Sequence, residues 1–425
     1  MSGMQPTPVT TTNTTRAELA ALALRAGRTP FYVYDTAVVD RQLAAVRAAL
    51  PPTVQLHYAL KANPLPALVA HLAAHVDGFD IASGGELAVV LATLAAGARA
   101  AVPRFGVGFD VGFAGPGKSL ADLAAGVAAG VLFQCESVRE LQAIAAAGTA
   151  AGRRPRVALR INPALELRGV GQRMGGGAKP FGIDAETAPE VLRLLATLPV
   201  EFVGFHFYAG SQMLQASTVV AMLEQCYACA LVLAAQAPAP VRVLNLGGGF
   251  GVPYFAGETA LELAPIAAAL ERLVVRAATD LPGATLVLEL GRYLVAEAGR
   301  YVLRVVDRKR SRGQVFLIGD GGMHHHLAAS GNLGQVLRRN FPVTLVPAAP
   351  TPPPGGASLL AIPPTEIVTI CGPLCTPLDV LAESVLLPVA QEGDFIVVGM
   401  SGAYGATASP RGFLSHPGPV ELLTP

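Results

Sequence analysis

Residues 56–68 read LHYALKANPLPAL, where a short apolar run typical of a β-strand precedes Lys61 and a helix-like run follows it. The same strand-then-helix pattern occurs eight times between about Gln55 and Glu289, with the strand-like runs VQLHYAL, GFDIAS, DVGF, VLFQC, RVALRI, EFVGFHFY, VRVLNL and TLVLEL. Strands of a buried parallel sheet have near-continuous apolar sequences, as these runs do. Eight such units within about 250 residues predict an α/β fold of the (β/α)8 barrel class. A doubly wound sheet is the alternative.

After Gly291 the sequence changes to short strand-like runs separated by turns, with little helix. This pattern predicts a second, mainly β C-terminal domain. We therefore assign residues 36–290 to the barrel and residues 291–425 to the β domain. The early run FYVYD, residues 31–35, has no helix-paired place among the eight units, and we assign it to the β domain as well. Residues 1–30 are predicted to be a disordered tail and lead-in.

The composition is that of a folded protein with a large core. Of the 425 residues, 52% are hydrophobic and 14% are charged, which is far from the composition of a disordered chain. The net charge of +1 gives no electrostatic reason to expect binding to nucleic acid or to an anionic membrane. The sequence has neither a signal-peptide pattern nor a continuous apolar span of about 20 residues, so we expect a cytoplasmic protein without a membrane segment.

The chain contains five cysteines, and an odd number argues against a disulfide framework. Cys226 and Cys229 form a lone CxxC pair inside an apolar helix-like run. Because a structural zinc site needs further ligands, we predict that this pair belongs to the core.

In a barrel of this class the chemistry lies at the C-terminal ends of the strands. The run GGGFG, residues 247–251, can present bare backbone N–H groups to a phosphate there, and Ser211 can add a hydroxyl. Lys61 follows the first strand. A lysine in a site of low dielectric loses its proton more readily and can form a Schiff base with a carbonyl, whereas a solvated lysine at the rim is the alternative. With Glu289 as an acid for a ring nitrogen, these residues predict pyridoxal 5'-phosphate as the cofactor.

A second motif points to another class of protein. GFAGPGKS, Gly112–Ser119, matches the P-loop pattern of nucleotide-binding proteins letter for letter and lies between a strand-like and a helix-like run. VFLIGD could supply Asp320 at the end of a second strand. The two pieces lie about 200 residues apart, one in the strand-then-helix region and the other in the region of short strands and turns. A P-loop NTPase that uses Gly112–Ser119 therefore stays open as an alternative.

Three stretches of the predicted β domain could carry chemistry. CGPLCTPLD places Cys375 among turn residues, which fits an exposed thiol or a buried inert one. DGGMHHHLAASG contains three adjacent histidines at 324–326, and adjacent residues of a strand point in different directions. We therefore predict a polar surface or a substrate contact there, and no metal site. SGAYGA places Tyr404 between small residues, as part of a turn or as a phenol that faces a ligand.

The motifs together resemble the ornithine/diaminopimelate decarboxylase family of pyridoxal phosphate enzymes, whose barrel is like that of alanine racemase. The resemblance extends from about Phe31 to Ser409 and is carried by YALKAN, GFDIASGGEL, GFHFYAGSQ, NLGGGFG, ELGRYLVAEAG, CGPLCTPLD and SGAYGA. It implies that Lys61 holds the cofactor as a Schiff base and that Glu289 pairs with the ring nitrogen. The other residues whose roles it implies are Gly248, Gly249, Ser211, Arg292 and Tyr404 around the phosphate, and Asp80 and Arg160 as supports of the lysine and the ring.

The resemblance implies a homodimer with shared active sites, in which Cys375 reaches the site of the partner subunit. The implied reaction is the decarboxylation of an amino acid through an external aldimine and a quinonoid, with Cys375 returning a proton to Cα. Racemases with this barrel carry an arginine where Glu289 stands, and an arginine makes the cofactor ring a weaker acceptor of electrons from Cα. The acid therefore argues for decarboxylation, with a racemase as the alternative.

Three features depart from the family pattern and bear on the substrate. Tyr208 stands where a histidine commonly stacks on the ring, and a tyrosine face can also stack. Thr376 stands where an acid after the cysteine binds the distal amine of a substrate. The stretch DGGMHHHLAASGN lacks the usual residues for the distal end of diaminopimelate, and we assign His325 a substrate contact. These differences resemble a subgroup that acts on carrier-protein-linked or other non-diamine substrates.

Overall fold

The computed structural model describes residues 15–96, 110–164, 170–335, 337–348 and 364–425. Most of the predicted N-terminal tail, residues 1–14, lies outside this part. The chain forms two compact units. The barrel unit contains residues 40–252 and 259–294, and the β unit contains the described residues up to 39 together with 253–258 and 295–425.

Numbered in chain order, the described strands are β1 (Phe31–Asp35), β2 (Gln55–Ala59), β3 (Gly78–Ile81), β4 (Asp110–Phe113), β5 (Leu132–Cys135), β6 (Arg156–Asn162), β7 (Val170–Arg173), β8 (Ile183–Asp184), β9 (Glu201–Phe207), β10 (Gly210–Met213), β11 (Val243–Gly248), β12 (Thr285–Leu290), β13 (Gly299–Ser311), β14 (Gln314–Gly319), β15 (Val343–Val346), β16 (Thr365–Cys371), β17 (Val380–Pro388), β18 (Phe395–Val398) and β19 (Val420–Thr424). The described α-helices are α1 (Arg16–Ala26), α2 (Thr36–Ala49), α3 (Pro66–Ala73), α4 (Gly84–Ala95), α5 (Leu120–Ala129), α6 (Val138–Ala150), α7 (Ala188–Leu195), α8 (Ala216–Ala234), α9 (Ala264–Asp280) and α10 (Arg292–Val295).

Eight parallel strands close into a barrel in the order β5, β4, β3, β2, β12, β11, β9 and β6, and β6 pairs back to β5. They are the eight strand-like runs of the sequence, so the predicted (β/α)8 barrel is confirmed and the doubly wound alternative is wrong. The strands are buried along nearly their whole length, because one side faces the barrel interior and the other faces the helices. The order places β12 between β2 and β11.

Serine side chains begin three of the barrel helices. Ser83, Ser119 and Ser137 accept hydrogen bonds from backbone N–H groups in the first turns of α4, α5 and α6. Each serine satisfies a donor that the helix itself leaves unpaired, which stabilises a helix by about 1 kcal/mol. At α5 the cap is reciprocal, because Asp122 also accepts from the backbone of Ser119. These caps fix where the chain turns from a strand end into a helix.

Helix α8 is the one described helix that is long and apolar enough to cross a membrane by length and composition. In this fold it packs against α9 and β11 as a helix of the barrel, and Met222, Leu223 and Cys226 lie on its buried side. A single buried face is what a core helix requires. Cys226 and Cys229 are free thiols, and Cys226 is fully buried, as predicted for a core feature.

The β unit is built on a sheet with the strand order β15, β18, β13, β14, β16 and β17. Strand β1 pairs antiparallel with β13 and parallel with β19, so residues 31–35 lie in this unit. The lead-in before β1 is not unstructured throughout, because it contains α1. Leu19 and Leu22 of that helix are buried in a cluster with Phe31 and Val302. Burial of this apolar face stabilises the helix.

Candidate active site

Lys61 lies on a single 3-10 turn, Leu60–Ala62, directly after β2. Its two neighbours are buried, while its own side chain is 38% exposed. The Nζ atom donates a hydrogen bond to Glu289 Oε1 at 2.9 Å and lies 4.3 Å from the centre of the Tyr208 ring. Lys61 is therefore held in a contact network at the C-terminal end of the barrel and is not a freely solvated rim lysine. It keeps enough exposure for its amine to meet a carbonyl compound.

Glu289, on β12, is the acid of this network and is almost fully buried. Burial by itself would raise the pKa of this carboxyl group. The Lys61 ammonium group and a hydrogen bond from His206 outweigh burial and hold the pKa of Glu289 well below its usual range. Glu289 is therefore ionised near neutral pH.

His206, on β9, orients the second oxygen of this carboxylate. Its Nε2 lies 3.3 Å from Glu289 Oε2. Burial lowers the pKa of His206, so the ring is neutral and donates its Nε2–H. The other ring nitrogen, Nδ1, is buried without a hydrogen-bond partner.

Three glycines at the end of β11, residues 247–249, lie against the backbone of neighbouring strand ends. A Cβ atom at Gly248 would lie 2.1 Å from the carbonyl oxygen of Glu289, and one at Gly249 would lie 2.1 Å from the carbonyl oxygen of Gly210. Gly249 also has a φ of 71°, which side chains rarely adopt. Only glycine fits here, so the turn exposes bare backbone.

Two predicted phosphate ligands follow β9 and β12, the strands on either side of β11. Ser211 lies on β10, and this strand is tied to the glycine turn by a 3.0 Å hydrogen bond from Met213 N to Gly249 O. Arg292 begins α10, three residues after Glu289. Backbone N–H groups, a hydroxyl and a guanidinium group form the donor set that a phosphate group needs. The described residues of the barrel unit therefore fit a phosphorylated cofactor with an aldehyde and a basic ring.

Asp80, on β3, lies in a buried polar layer inside the barrel. Its two carboxylate oxygens are bonded to His57 Nδ1 at 3.1 Å and Gln134 Nε2 at 2.7 Å. Burial would lower the pKa of His57, but the Asp80 carboxylate outweighs burial and raises it. Glycines make room for this layer, since a Cβ atom at Gly112 would lie 2.2 Å from Asp80 Oδ1.

Arg160, on β6, is bonded to a carboxylate next to the same strand ends. Its Nη1 donates to Glu136 Oε1 at 2.7 Å, and its guanidinium group lies 5.3 Å from the centre of the Phe181 ring. Burial would raise the pKa of Glu136, but Arg160 and Lys118 outweigh burial and lower it. The pair is therefore ionised, and Glu136 holds Arg160 in a fixed position.

The P-loop alternative is wrong, because Lys118 points into the protein. Its side chain is fully buried, and its Nζ donates to Glu140 Oε1 at 2.6 Å and to the carbonyl oxygen of Gly115 at 2.8 Å. Ser119 is used as the cap of α5. Asp320, the candidate metal ligand of the second strand, is bonded to Thr29 and to the backbone of Arg304. The stretch has the glycines and the lysine of a phosphate loop, but here the lysine forms a buried contact with Glu140.

The remaining predicted site residues belong to the β unit. Cys375 lies beyond β16 and is exposed, so the predicted exposed thiol, and not the buried one, is observed. Thr376 is half-buried and accepts a hydrogen bond from Leu378 N at 3.3 Å. Tyr404 is half-buried and has a φ of 55°, in the left-handed region. Their predicted roles toward the cofactor and the substrate stay predictions.

The three adjacent histidines are all buried, so a polar surface is the wrong interpretation. They lie in a turn and not along a strand. His325 bonds Pro417 O at 3.0 Å through Nε2 and Tyr301 OH at 3.2 Å through Nδ1, which favours a structural role. His326 is likewise bonded, to Ser401 and to the backbone of Ala329. The predicted substrate contact of His325 stays a prediction.

Two histidines of the barrel interior are absent from the predicted site. His57 and His206 each bond one of the acids, Asp80 and Glu289. Each histidine lies in an otherwise apolar strand-like run, LHYAL or FVGFHF, and this could have indicated both, because a buried polar side chain needs a hydrogen-bond partner.

Comparison with known proteins places these residues in a family context. Residues 36–296 match the family described as pyridoxal-dependent decarboxylase, pyridoxal binding domain. The chain is 37% identical over 417 residues to the L-glutamyl-[BtrI acyl-carrier protein] decarboxylase of Niallia circulans, covering 97% of this chain and 92% of that protein. It is 32% identical over 398 residues to the diaminopimelate decarboxylase of Deinococcus radiodurans, covering 93% of this chain and 90% of that protein.

Among solved structures, the chain is similar to diaminopimelate decarboxylase from M. jannaschii in complex with L-lysine. The TM-score is 0.80 with 24% sequence identity, over 96% of this chain and 89% of that chain. At this identity the likeness concerns the fold, which is that of a barrel with a second, mainly β domain.

Proposed function

The chain belongs to the pyridoxal-dependent decarboxylase family, and from this premise we propose that it decarboxylates an amino acid carried on an acyl carrier protein. The reaction class is that of an amino-acid decarboxylase, a carboxy-lyase that uses pyridoxal phosphate. The Lys61–Glu289 contact beside the glycine turn is the observation that carries this class. The carrier-linked substrate is supported by the 37% identical relative, which acts on an L-glutamyl group of an acyl carrier protein.

The chemistry fixes how such a substrate is joined to its carrier. Loss of CO2 from Cα requires a free α-amine and a free α-carboxylate. A thioester through the α-carboxyl group would leave no carboxylate to depart. We therefore propose that a glutamyl substrate is bound to the carrier through its side-chain carboxyl group, so that the product is a 4-aminobutyryl thioester.

Pyridoxal phosphate, when bound, accepts the electron pair that stays at Cα when the bond to the carboxylate breaks. Lys61 would supply the amine that holds the aldehyde. Glu289 is ionised, so it would accept a hydrogen bond from the ring nitrogen and keep a proton at that atom. His206 fixes the orientation of this carboxylate. The glycine turn, with Ser211 and Arg292, would hold the phosphate.

Tyr208 is proposed to stack on the cofactor ring, in the role for which a histidine is common. Its ring already lies face-on to the Lys61 amine, 4.3 Å away. An aromatic face at this place would pack against the flat cofactor ring. Asp80 and Arg160 are held by His57, Gln134 and Glu136, so they support the site without side-chain movement.

We further propose a homodimer in which Cys375 delivers the proton to Cα at the active site of the second subunit. The exposed position of Cys375 supports this role, because an exposed thiol can reach the active site of a second subunit. Thr376, next to it, carries no charge, whereas a distal ammonium group is best bound by an acid. This neutral side chain supports a substrate without a distal amine.

A CO2-release assay with the purified holoenzyme tests the proposal. The substrates are an acyl carrier protein loaded with L-glutamate through the side-chain carboxyl group, free L-glutamate, L-lysine, L-ornithine and diaminopimelate. We expect CO2 from the loaded carrier and little from the free amino acids, with Lys61→Ala as the inactive control. Preferred turnover of diaminopimelate would overturn the carrier-linked substrate while leaving the reaction class intact. No CO2 from any substrate would overturn both.

A further inference from the structure

Two histidines and an aspartate meet on the outside of the barrel unit, apart from the residues described above. Asp40 lies on α2, His71 on α3, and His75 one residue beyond the cap of α3. His71 Nε2 lies 2.6 Å from Asp40 Oδ1, and His75 Nε2 lies 3.9 Å from the same oxygen. One donor atom from each of the three residues lies within 4.8 Å of the other two. The cluster joins the helices on either side of β2.

The donor atoms are close to the arrangement that a tetrahedral metal ion requires. With metal–ligand distances of about 2.0–2.1 Å, neighbouring ligands of Zn²⁺ are about 3.3 Å apart. The two separations from the Asp40 oxygen, 2.6 and 3.9 Å, lie on either side of this value. Three protein ligands leave the fourth position to a water molecule.

The surroundings favour a cation at this point. His71 is in the last turn of α3, where the carbonyl groups of the helix end carry partial negative charge. The guanidinium group of Arg47 is already paired with Asp77 at 2.8 Å and bonded to the carbonyl oxygen of His75 at 2.9 Å. Arg47 therefore holds the backbone of His75 in place, and its charge is compensated.

The exposure of the three side chains fits an ion that arrives from solution. The side chains of Asp40 and His75 are 47% and 45% exposed, and that of His71 is 25% exposed. A simple His71–Asp40 ion pair would explain the 2.6 Å contact alone. It does not explain why a second histidine, four residues along the chain, turns its Nε2 toward the same carboxylate oxygen.

We propose that Asp40, His71 and His75 bind a divalent transition-metal ion, with Zn²⁺ as the natural occupant, and that this ion ties α2 to α3. Imidazole and carboxylate ligands suit Zn²⁺ better than Mg²⁺ or Ca²⁺, which take all-oxygen shells. Because the ion binds only the folded arrangement, it stabilises the barrel through mass action.

Isothermal titration of the holoenzyme with ZnCl2 tests this proposal. The experiment uses a Cys375→Ser background, so that the exposed thiol does not take up the ion. We expect one Zn²⁺ per chain, and at least tenfold weaker binding after His71→Ala, Asp40→Asn or His75→Gln. Zn²⁺ should also raise the melting temperature of the parent protein and not that of the variants. His416→Gln, a half-buried histidine of the β unit, is the matched control and should bind Zn²⁺ like the parent.

Zinc binding that is absent, or that survives unchanged in all three ligand variants, would overturn the proposal. His75→Gln replaces an exposed side chain and tests the site even where the less exposed His71→Ala lowers stability. The visible absorbance of the bound cofactor shows in each case that the variant is folded.

Discussion

The Nζ atom of Lys61 and the Oε1 atom of Glu289 are 2.9 Å apart although the residues are 228 positions apart in the chain. The closed barrel makes this contact, because the first barrel strand, β2, pairs with the last, β12. The glycine turn is the next neighbour, since Gly248 is in register with Glu289. An amine, an acid and a bare backbone turn are thus brought together by strand order alone. The contact gives Lys61, one of four lysines in the chain, a specific partner at this strand end.

Replacing Lys61 by alanine should remove the covalent attachment of the cofactor. We expect loss of the Schiff-base absorbance and a decrease in activity of at least a thousandfold, because the amine both binds the aldehyde and exchanges with the substrate. Absorption spectra and CO2 release measure the two effects. Lys309→Ala, which changes an exposed lysine of the β unit, is the matched control and should keep both. A Lys61→Ala protein with the unaltered absorbance band would contradict the assignment.

Much of this arrangement can be predicted from sequence, because it depends on regular repetition. The eight apolar runs predict the barrel, since buried parallel strands leave little room for polar residues. The position of Lys61, Ser211 and Glu289 at strand ends then predicts one common site. Strand ends of a parallel barrel always meet at the same face.

Side-chain pairing inside the barrel could not be predicted in the same way. The contacts of His206 with Glu289 and of His57 with Asp80 depend on the register between strands far apart in the chain. The burial of the three adjacent histidines could not be predicted from the local sequence either, for another reason. They are buried because a turn of the β unit packs them against Tyr301 and Ser401, which lie on other segments.

Replacing Gly248 by alanine should weaken cofactor binding. The added Cβ atom would lie 2.1 Å from the backbone oxygen of Glu289, so the turn must move and lose its fit to the phosphate. We expect the Kd for pyridoxal phosphate to rise about tenfold or more, which corresponds to about 1.4 kcal/mol. Fluorescence titration of the apoenzyme measures it. Gly117→Ala is the control, since a Cβ atom there has no neighbour within 4 Å. Equal Kd values for both variants would exclude a phosphate cradle at Gly248.

His326 should make the free energy of unfolding depend on pH. Burial lowers the pKa of His326 from 6.5 to about 3. Below pH 6.5 this histidine is protonated in the unfolded chain, whereas it stays neutral in the folded chain. The histidine therefore destabilises the protein progressively as the pH falls from 6.5 toward 3, by up to about 1.4 kcal/mol per pH unit.

Urea unfolding at several pH values, followed by circular dichroism, measures this dependence. His326→Asn keeps an acceptor for the N–H of Ala329 but does not titrate, so its stability should fall less steeply between pH 6.5 and 4. Ser401→Ala removes the hydrogen-bond partner of His326 without removing the imidazole and should keep the steep dependence. Identical slopes for the parent protein and His326→Asn would show that this ring does not control acid stability.

Replacing Cys375 by alanine should slow the return of a proton to Cα without affecting cofactor binding. General acid catalysis by a placed side chain contributes about 10²- to 10⁴-fold, so we expect kcat to fall within this range. The Schiff-base absorbance should stay unchanged. Cys229→Ala, on α8, is the control for the loss of a thiol and should keep full activity. A Cys375→Ala enzyme with the parent kcat would show that another group protonates Cα.

Replacing Thr376 by glutamate should shift the substrate preference toward diamino acids. A carboxylate at this position would attract a distal ammonium group, whereas a threonine hydroxyl offers it no charge. We expect kcat/KM for diaminopimelate or lysine to rise about tenfold and that for the carrier-linked glutamyl substrate to fall, since tenfold corresponds to about 1.4 kcal/mol, close to the contribution of one hydrogen bond between charged groups. Competition between the two substrates in one reaction measures the ratio directly. Thr376→Ser keeps the hydroxyl and should keep the parent preference. An unchanged ratio in Thr376→Glu would mean that position 376 does not contact the distal end of the substrate, and the case for a non-diamine substrate would then rest on the relatives alone.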